Sequence, residues 1–598
     1  MLRLAVAQLR PRKGAYAENL ARFVEAIRDL AGSAEPPDIV IAPESALTGY
    51  FLEGGVRELA VPAATLHADL AAAYGADLPP VDVALGFYEL HDNRLYNSAL
   101  YTTLGGDDAG IRHIHRKIFL PTYGVFDEER FVEAGRSVQS FDTRWGRAAM
   151  LVCEDVWHSL PPMIAALDGA QLLIVPSASP ARGIAPGDGR PGSLRRWERL
   201  VEAVAGEHRI YVALAQLVGF EGGKAFVGGA MVAGPRGELL VNGPVFDDAV
   251  VRAEIDLDEI TRARADLPLL SDLEMRLPHL LGSLHGARRR PVGAPRTPIT
   301  RQPSPAVPSH PQPSGSPQPS GSPRQPSSLS IDPALTRRWL VEFLRDEITR
   351  RRGFRRAIIG LSGGVDSSLV AYLAAEALGA ENVIGVRMPY HASSSDSLEH
   401  ARLVADGLGI DCRTVDISSA VDGLAAAIGD PAPTPGRLGN IMARVRMITL
   451  FDLSAALEAL PVGTGNKTER LFGYFTWHAD DSPPVNPLGD LFKTQVWELA
   501  RHVGVPDEIV NKPASADLIR GQTDEGDFGI SYPRADAILH ELLLGRGAAD
   551  IAAHGFTPDE VALVRRRLDS THWKRRLPTV AMVSQTAIGE YYLRPVDY

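Results

Sequence analysis

The 598-residue sequence predicts an α/β protein built as two bodies on either side of a proline-rich seam. Three observations carry this expectation. Short apolar runs alternate with helical patterns ahead of position 288, a strand–loop–helix–strand unit of a parallel sheet opens the chain after 330, and the stretch between them cannot bury a core. With 45 % apolar and 23 % charged residues the composition is that of a folded globular protein, which excludes collagen, general disorder and a small disulfide scaffold.

In the first body the runs 38–42 (DIVIA) and 148–152 (AAMLV) read as buried strands. Residues 18–30 carry apolar side chains at Leu20, Phe23, Val24, Ile27 and Leu30, the spacing of one helix face. At the seam, prolines recur every few residues and the hexapeptide QPSGSP stands twice in tandem, at 312–317 and 318–323. Pro, Ser and Gly favour an extended solvated linker, with disorder expected over about 295–325. The expected division is therefore 1–270, a connector at 271–330, and 331–598. Behind the seam, 356–360 (RAIIG) reads as a buried strand, 364–379 as the following turn and helix, and 382–388 (NVIGVRM) as the next strand, a Rossmann-like βαβ unit.

The balance of 62 basic against 73 acidic residues, a formal charge of -11, gives no broad field for a polyanion such as nucleic acid, so any phosphate must be held locally. Two cysteines, Cys153 and Cys412, are too few for a disulfide framework or a thiolate metal site and point to a reducing compartment. The start MLRLAVAQLRPRKG lacks the apolar core of a signal peptide, and no run of about 20 apolar residues follows. A cytoplasmic enzyme with no membrane partner is expected.

Between the strand at 356–360 and its helix lies the loop Gly360, Leu361, Ser362, Gly363, Gly364, Val365, Asp366, Ser367 and Ser368. Backbone N–H groups and the helix dipole at such a junction favour an anion, and glycines let the backbone approach phosphate closely. The loop lacks the lysine of a Walker A motif. The string SGGVDSS instead resembles the pyrophosphate loop of the N-type ATP pyrophosphatases, which cleave ATP between the α and β phosphates and adenylylate a substrate. NIMARVRM (440–447), GTGNKTE (463–469), FKTQVWELA (492–500), KPASADL (512–518), GQTDE (521–525) and FGISY (528–532) select, in order and spacing over about 240 residues, the NAD synthetases among them.

That resemblance implies a parallel-sheet fold of the adenine nucleotide α-hydrolase type. It implies ATP bound by 360–368, with Thr464, Lys493 and Ser515 at further ATP-contacting positions, and Mg²⁺ held by Asp366 and Glu469, hard oxygen ligands as that ion requires. Arg444 and Lys574 match positions that contact deamido-NAD. Taken singly, Arg444 reads as an exposed arginine on a helix whose Ile441, Val445, Ile448 and Leu450 face a core, Lys493 as a lysine opening a helix, and Glu469 as a carboxylate in the first turn of one. The segment 477–487 (WHADDSPPVNP) departs from the glycine-rich loop common in the family, and no ligand is carried over from it.

In the first body Cys153 follows a buried strand and precedes EDVW. A lone cysteine is ordinarily a small buried hydrophobe, and Cys412 on a predicted strand (DCRTVDI) reads that way. Glu44, however, also ends a strand (IVIAPES), and Lys117 lies in HRKIFLPTYG. A thiol needs a base to become a nucleophile, and a cation stabilises the developing oxyanion. The contexts PES, HRKIFLPTYG and CEDVW resemble the nitrilase, or carbon-nitrogen hydrolase, superfamily over residues 1 to about 270, which implies an αββα sandwich. By that resemblance Glu44 is the general base, Lys117 steadies the tetrahedral intermediate, and Cys153 forms a glutamyl thioester. Tyr123 and Glu128 match positions that line the glutamine site or steady the triad, with Glu129 one residue from the same match; their plain readings are a surface aromatic and a solvated charge.

The fusion implies a ligase: glutamine-dependent amidation of deamido-NAD to NAD, ATP being cleaved to AMP and pyrophosphate. Ammonia made at the first site is consumed at the second. Asparagine synthetase is disfavoured because position 2 is Leu2 rather than cysteine, and GMP synthetase because LVCED is not a GxCxG turn. A nucleotide-binding regulator built on an inactive amidase, and an enzyme whose halves are uncoupled, remain as alternatives. The family resemblance also implies a homo-oligomer assembled around a synthetase dimer.

Overall fold

A computed structural model describes residues 1–52, 55–288, 329–391, 393–429, 431–515 and 523–576. The first body contains strands Leu2–Gln8 (β1), Ile39–Ile41 (β2), Val81–His91 (β3), Arg94–Leu104 (β4) and Gly110–Arg116 (β5). They are followed by Ser140–Asp142 (β6), Arg147–Met150 (β7), Leu172–Ser177 (β8), Tyr211–Gln216 (β9), Val218–Glu221 (β10), Lys224–Val227 (β11), Met231–Ala233 (β12), Leu239–Asn242 (β13) and Ala249–Ile255 (β14). Two six-stranded sheets form, ordered β14-β1-β2-β3-β4-β5 and β13-β12-β9-β8-β7-β6, while β10 and β11 make a separate hairpin. Each sheet has a parallel centre, β1-β2-β3 or β7-β8-β9, flanked by antiparallel strands.

The two-residue period of a strand explains why the sheets stack. Leu4, Val6, Ile39 and Ile41 point into the core shared by both sheets. Their neighbours Ala5 and Val40 point outward against Phe23, Ile27, Leu66 and Leu70 of helices Tyr16–Ala31 and Ala63–Tyr74. Helices Leu160–Leu167 and Gly192–His208 cover the second sheet, completing the αββα sandwich. Residues 271–288, counted with the connector, belong to helix Leu269–Arg288, which packs on those two helices. The linker expected to be disordered at 295–325 lies outside the described residues.

The second body is a four-stranded parallel sheet of Arg356–Gly360 (β15), Val383–Arg387 (β16), Asp411–Thr414 (β17) and Ala459–Pro461 (β18), ordered β17-β16-β15-β18. Helices Pro333–Arg345, Val365–Leu378, Ser395–Leu408 and Lys493–Val503 form a core with one face. Helix Pro435–Leu457 covers the other through Leu450, Leu453 and Leu457. Val445 and Leu450 are buried as expected, but Ile448 is 60 % exposed. At about 100° per residue it lies some 120° around the helix from the buried Met442, off the packed face. Cys412, on β17, is half-buried.

Helix Pro333–Arg345 joins the bodies. Its N-terminus is capped by the Asp332 carboxylate, which accepts the Leu335 N–H at 3.0 Å, with proline in the first turn. Leu335 enters the core of the first body, and Trp339 and Phe343 meet Phe246 and Phe220 edge to face at 5.8 and 5.7 Å between ring centroids. Arg338 pairs with Asp247 at 2.9 Å. The helix then widens into the π-type turns Asp346–Arg351 that lead to β15.

Candidate active site

Three strand ends converge in the first body. Glu44 follows β2, where Ser45 takes φ +52° and a Cβ on Gly86 would lie 2.4 Å from the Glu44 Cα, so only glycine lets β3 pass this close. The Glu44 carboxylate is fully buried. It accepts hydrogen bonds from Asn97 Nδ2 at 2.7 Å, Lys117 Nζ at 2.8 Å and the Ala178 N–H at 2.8 Å. Lys117, just past β5, also donates to Glu128 Oε1 at 2.6 Å, and the Tyr50 hydroxyl donates to that same oxygen. Glu128 Oε2 is buried without a hydrogen-bond partner among the described residues.

Cys153 follows β7 with φ +44°, a left-handed conformation that costs a non-glycine residue about 1–3 kcal/mol. Its Sγ accepts the Ser177 hydroxyl at 3.3 Å. Burial, and then the charge of Glu44, push the thiol well above its ordinary value, so the resting group is a neutral thiol with a carboxylate beside it. Burial pulls the Lys117 ammonium down, but Glu128 and Glu44 outweigh it and hold the cation well above its usual range. Glu128 is pushed up to about 7, chiefly by burial. The arrangement can take a proton from the thiol as it attacks and present a fixed cation to an oxyanion.

Asp155 locks this geometry. Fully buried, its carboxylate accepts the N–H groups of Ile118 and Phe119 at 2.9 Å each and of Val152 at 3.1 Å, and pairs with His115 Nε2 at 2.9 Å. One side chain thus ties the backbone beside Lys117 to the backbone beside Cys153. Tyr123 is 59 % exposed, and its hydroxyl donates to Glu154 at 2.9 Å. The exposed guanidinium of Arg182 lies 3.9 Å from a Cβ position on Gly124, beside that tyrosine. No local sequence pattern marks Asp155, His115, Tyr50, Asn97 or Arg182 as functional; of these only Asp155 and His115 lie in the motifs CED and HRK.

In the second body the loop after β15 turns at Gly363, whose φ is +74° and where a Cβ would meet the Ser397 carbonyl oxygen at 2.1 Å. The hydroxyls of Ser367 and Ser368 donate to the Gly364 carbonyl at 3.1 and 2.8 Å, holding the first turn of helix Val365–Leu378. Asp366, in that turn, accepts Asn466 Nδ2 at 3.0 Å and pairs with Lys493. Asn466 caps helix Lys467–Phe472, with Glu469 bonded back to the Asn466 N–H at 3.2 Å. Lys493 Nζ lies 3.9 Å from Glu469 Oε1.

The structure therefore gathers Asp366, Glu469 and Lys493. Burial, with the charge of Asp366, pushes Glu469 up to about 8. Burial lowers Lys493, but Asp366 and Glu469 together raise it above its usual value. Asp524, unassigned from sequence, stands near all three, its Oδ2 accepting the Tyr532 hydroxyl at 2.8 Å and its buried Oδ1 without a hydrogen-bond partner among the described residues. Several carboxylates around one lysine, with an orphaned oxygen among them, fit a divalent cation shared with phosphate. Among the described residues no cluster of three or more His, Cys, Asp or Glu could hold a metal ion by itself.

Thr464 lies between Gly463, bonded to the Val485 carbonyl at 2.7 Å, and Gly465, near Glu469. Ser515 is exposed, three residues past Lys512, whose Nζ reaches Ser397 at 3.0 Å beside the loop at Gly363. Arg444 donates to the Trp477 carbonyl at 3.2 Å. Lys574 donates to the carbonyls of Gly473 and Phe475 at 2.8 and 2.9 Å, so both grip the segment 473–477. Trp477 meets Trp573 edge to face at 5.2 Å. Residues 516–522, which include part of GQTDE, lie outside the described residues.

Comparison with known proteins places both halves. The NAD synthase family model matches residues 337–578, and the carbon-nitrogen hydrolase model matches 3–265. The NH(3)-dependent NAD(+) synthetase of Chlorobaculum parvum is 45 % identical over 268 residues, 44 % of this chain and 95 % of that protein. That of Trichlorobacter lovleyi is 46 % identical over 275 residues, 46 % of this chain and 99 % of that protein. The chain belongs to the NAD synthetase family. It fuses a carbon-nitrogen hydrolase domain to the NAD synthetase domain. The glutamine-dependent NAD+ synthetase of Acinetobacter baumannii, at 24 % identity, shares the fold with TM-score 0.69 over 100 % of this chain and 98 % of that one.

Proposed function

We propose that this member of the family makes NAD by amidating deamido-NAD with ammonia released from glutamine, ATP being cleaved to AMP and pyrophosphate. The observation that carries the reading is the presence in one chain of a buried Glu44–Lys117–Cys153 cluster and a phosphate loop flanked by Asp366, Glu469 and Lys493. The division at 1–270, 271–330 and 331–598 goes with it.

At the first site the Cys153 sulfur attacks the carboxamide carbon of glutamine as its proton passes to Glu44. Lys117, fixed between two carboxylates, faces the oxyanion. Ammonia leaves with the proton from Glu44, and water then hydrolyses the thioester to glutamate. The free Oε2 of Glu128 is an acceptor for the amide N–H₂ of the substrate, which favours Glu128 over Glu129 for this role. Tyr123 and Arg182 stand at the mouth, where the exposed guanidinium suits the amino acid's carboxylate.

At the second site the carboxylate of deamido-NAD attacks the α phosphorus of ATP, the bond to the β-phosphate oxygen breaks, and pyrophosphate leaves. Ammonia then attacks the acyl carbon of the mixed anhydride and AMP departs. The backbone of 360–368 cradles phosphates, Lys493 balances their charge, Thr464 and Ser515 contact ATP, and Arg444 and Lys574 hold deamido-NAD. Asp366 and Glu469 would hold Mg²⁺, which supplies charge neutralisation on the phosphates. Ammonia must arrive unprotonated, so a protected passage between the sites belongs to this reading, as does a homo-oligomer around a synthetase dimer. Cytoplasmic location accords with it, and no described helix is long and apolar enough to cross a membrane.

The test is stoichiometry. Glutamine, ATP, Mg²⁺ and deamido-NAD should yield glutamate, NAD, AMP and pyrophosphate in equal amounts; nucleotide binding without AMP formation would point to a regulator instead.

A further inference from the structure

Strand β8 is apolar from Leu172 to Pro176 and ends on a serine. β7 runs parallel beside it, with the Leu151 N–H bonded to the Ile174 carbonyl at 3.1 Å, so the chain just past β7, where Cys153 stands, lies against the end of β8. Ser177 is fully buried, and its hydroxyl donates to the Cys153 sulfur at 3.3 Å. Among the described residues that sulfur is the hydroxyl's one hydrogen-bond partner. Burying a hydroxyl costs free energy unless it is bonded, and a position that served packing alone would take alanine, as the buried Ala178 beside it does.

The next residue serves the base. The Ala178 N–H donates to Glu44 Oε2 at 2.8 Å, while Oε1 accepts both Asn97 Nδ2 and Lys117 Nζ. A carboxylate oxygen has two acceptor sites, so Oε1 is filled and Oε2 keeps one open. Two consecutive residues at one strand end therefore hold the nucleophile and the oxygen that can receive its proton.

We propose that Ser177 is a further catalytic residue of the thiol site, its hydroxyl donating to the Cys153 sulfur and stabilising the negative charge that the sulfur takes on during reaction. The inference rests on reading that site as a glutaminase. As the S–H bond breaks, the proton passes to Glu44 Oε2, the sulfur pair forms the bond to the carboxamide carbon, and the carbonyl π pair moves to the oxygen that faces Lys117. Ser177 keeps its own proton. When water opens the thioester the pair returns to the sulfur, and the same hydroxyl meets it. A hydrogen bond to a charged acceptor is stronger than one to a neutral acceptor, so both half-reactions gain.

The charged groups facing the sulfur are Glu44, which opposes a thiolate, and Lys117, which favours one. The phenols of Tyr50 and Tyr123 are also near, and Glu128 and Glu154 are bonded to Lys117 and Tyr123 in turn. Burial raises the thiol pKa and Glu44 raises it further, while Lys117, the Ser177 hydroxyl and the Ala178 N–H bring it part of the way back. Removing the hydroxyl changes none of these charges.

The experiment compares the full-length wild type with Ser177→Ala and Ser177→Thr. Alkylation by iodoacetamide is followed across pH without glutamine and read at Cys153 by peptide mass spectrometry, because Cys412 also carries a thiol. Glutamate release, NAD formation from ammonium and melting temperature are measured alongside. Ser177→Ala should displace the alkylation profile up by about one pH unit, so that alkylation below the midpoint is about tenfold slower. It should lower kcat for glutamine hydrolysis about tenfold with KM within about twofold, and leave synthesis from ammonium within about twofold of wild type. Ser177→Thr, which keeps the hydroxyl, should return the profile and kcat to within about threefold. A Ser177→Ala enzyme with the wild-type alkylation profile overturns the proposal whatever its kcat, because a packing defect would slow turnover without moving the thiol. A Ser177→Thr enzyme that matches alanine in both readouts at the wild-type melting temperature also overturns it. Failure of the wild type to release glutamate would instead overturn the glutaminase reading.

Discussion

Removing the Asp155 carboxylate tests how the thiol site is held together. In Asp155→Ala the buried N–H of Val152, the half-buried N–H groups of Ile118 and Phe119, and the His115 imidazole lose their shared partner at once. A buried donor left unmade costs about 1–3 kcal/mol and a half-buried one less, and neighbouring losses overlap, so the first body should lose about 3–5 kcal/mol. That is a large part of a stability of roughly 5–15 kcal/mol, and for a body of this size a drop in melting temperature on the order of 10 °C. Calorimetry and urea unfolding read the loss, and glutamate release reads the site. Burial raises the Asp155 pKa but the bond and charge of His115 and the backbone N–H groups bring it below the usual carboxylate range. A depressed acid stabilises the fold above its unfolded value, about 4, and loses that contribution as pH falls through the folded one. The wild-type advantage over the variant should therefore be full at neutral pH and shrink in acid. A loss below about 1 kcal/mol with glutamine hydrolysis intact would refute the reasoning.

Other perturbations separate the two halves. Gly86→Ala drives a Cβ to within 2.4 Å of the Glu44 Cα and should abolish glutamine-driven synthesis while sparing the ammonium-driven reaction, read by NAD formation from each donor. Gly363→Ala, strained at φ +74° and blocked by the Ser397 carbonyl, should abolish both in the same assay. Because burial pushes Glu128 up to about 7, the rate of glutamine hydrolysis should fall as pH drops through about that value, and Glu128→Gln should move this limb. Glu469→Gln should weaken divalent-ion binding tenfold or more, the scale typical of a lost ligand-shell contact, measured with Mn²⁺ by electron paramagnetic resonance.

Much of this is legible in the sequence because the chemistry sits where periodicity breaks. Glu44, Cys153 and the loop 360–368 each follow an apolar strand of the kind that sequence pattern reveals, and the loop turns at Gly363, where only glycine fits against the Ser397 carbonyl. What stayed hidden depends on pairings across the fold. Asp155 matters because β5 and β7 end side by side, Tyr50 because β10–β11 presses its backbone toward Glu128, and Asp524 because Tyr532 holds it beside Lys493. No local spacing encodes such contacts. Ile448 shows the opposite error, an apolar residue at a plausible heptad position that the turn of the helix carries off the packed face.

The central claim is that one chain contains an ammonia-producing site and a separate ammonia-consuming site. NAD formation from deamido-NAD, ATP and Mg²⁺ should be measured in wild type and Cys153→Ala with glutamine or with ammonium as donor. The account predicts that the variant loses synthesis from glutamine and keeps synthesis from ammonium. Glutamine-driven synthesis that survives in Cys153→Ala, or a wild type that makes no NAD from either donor, would contradict it.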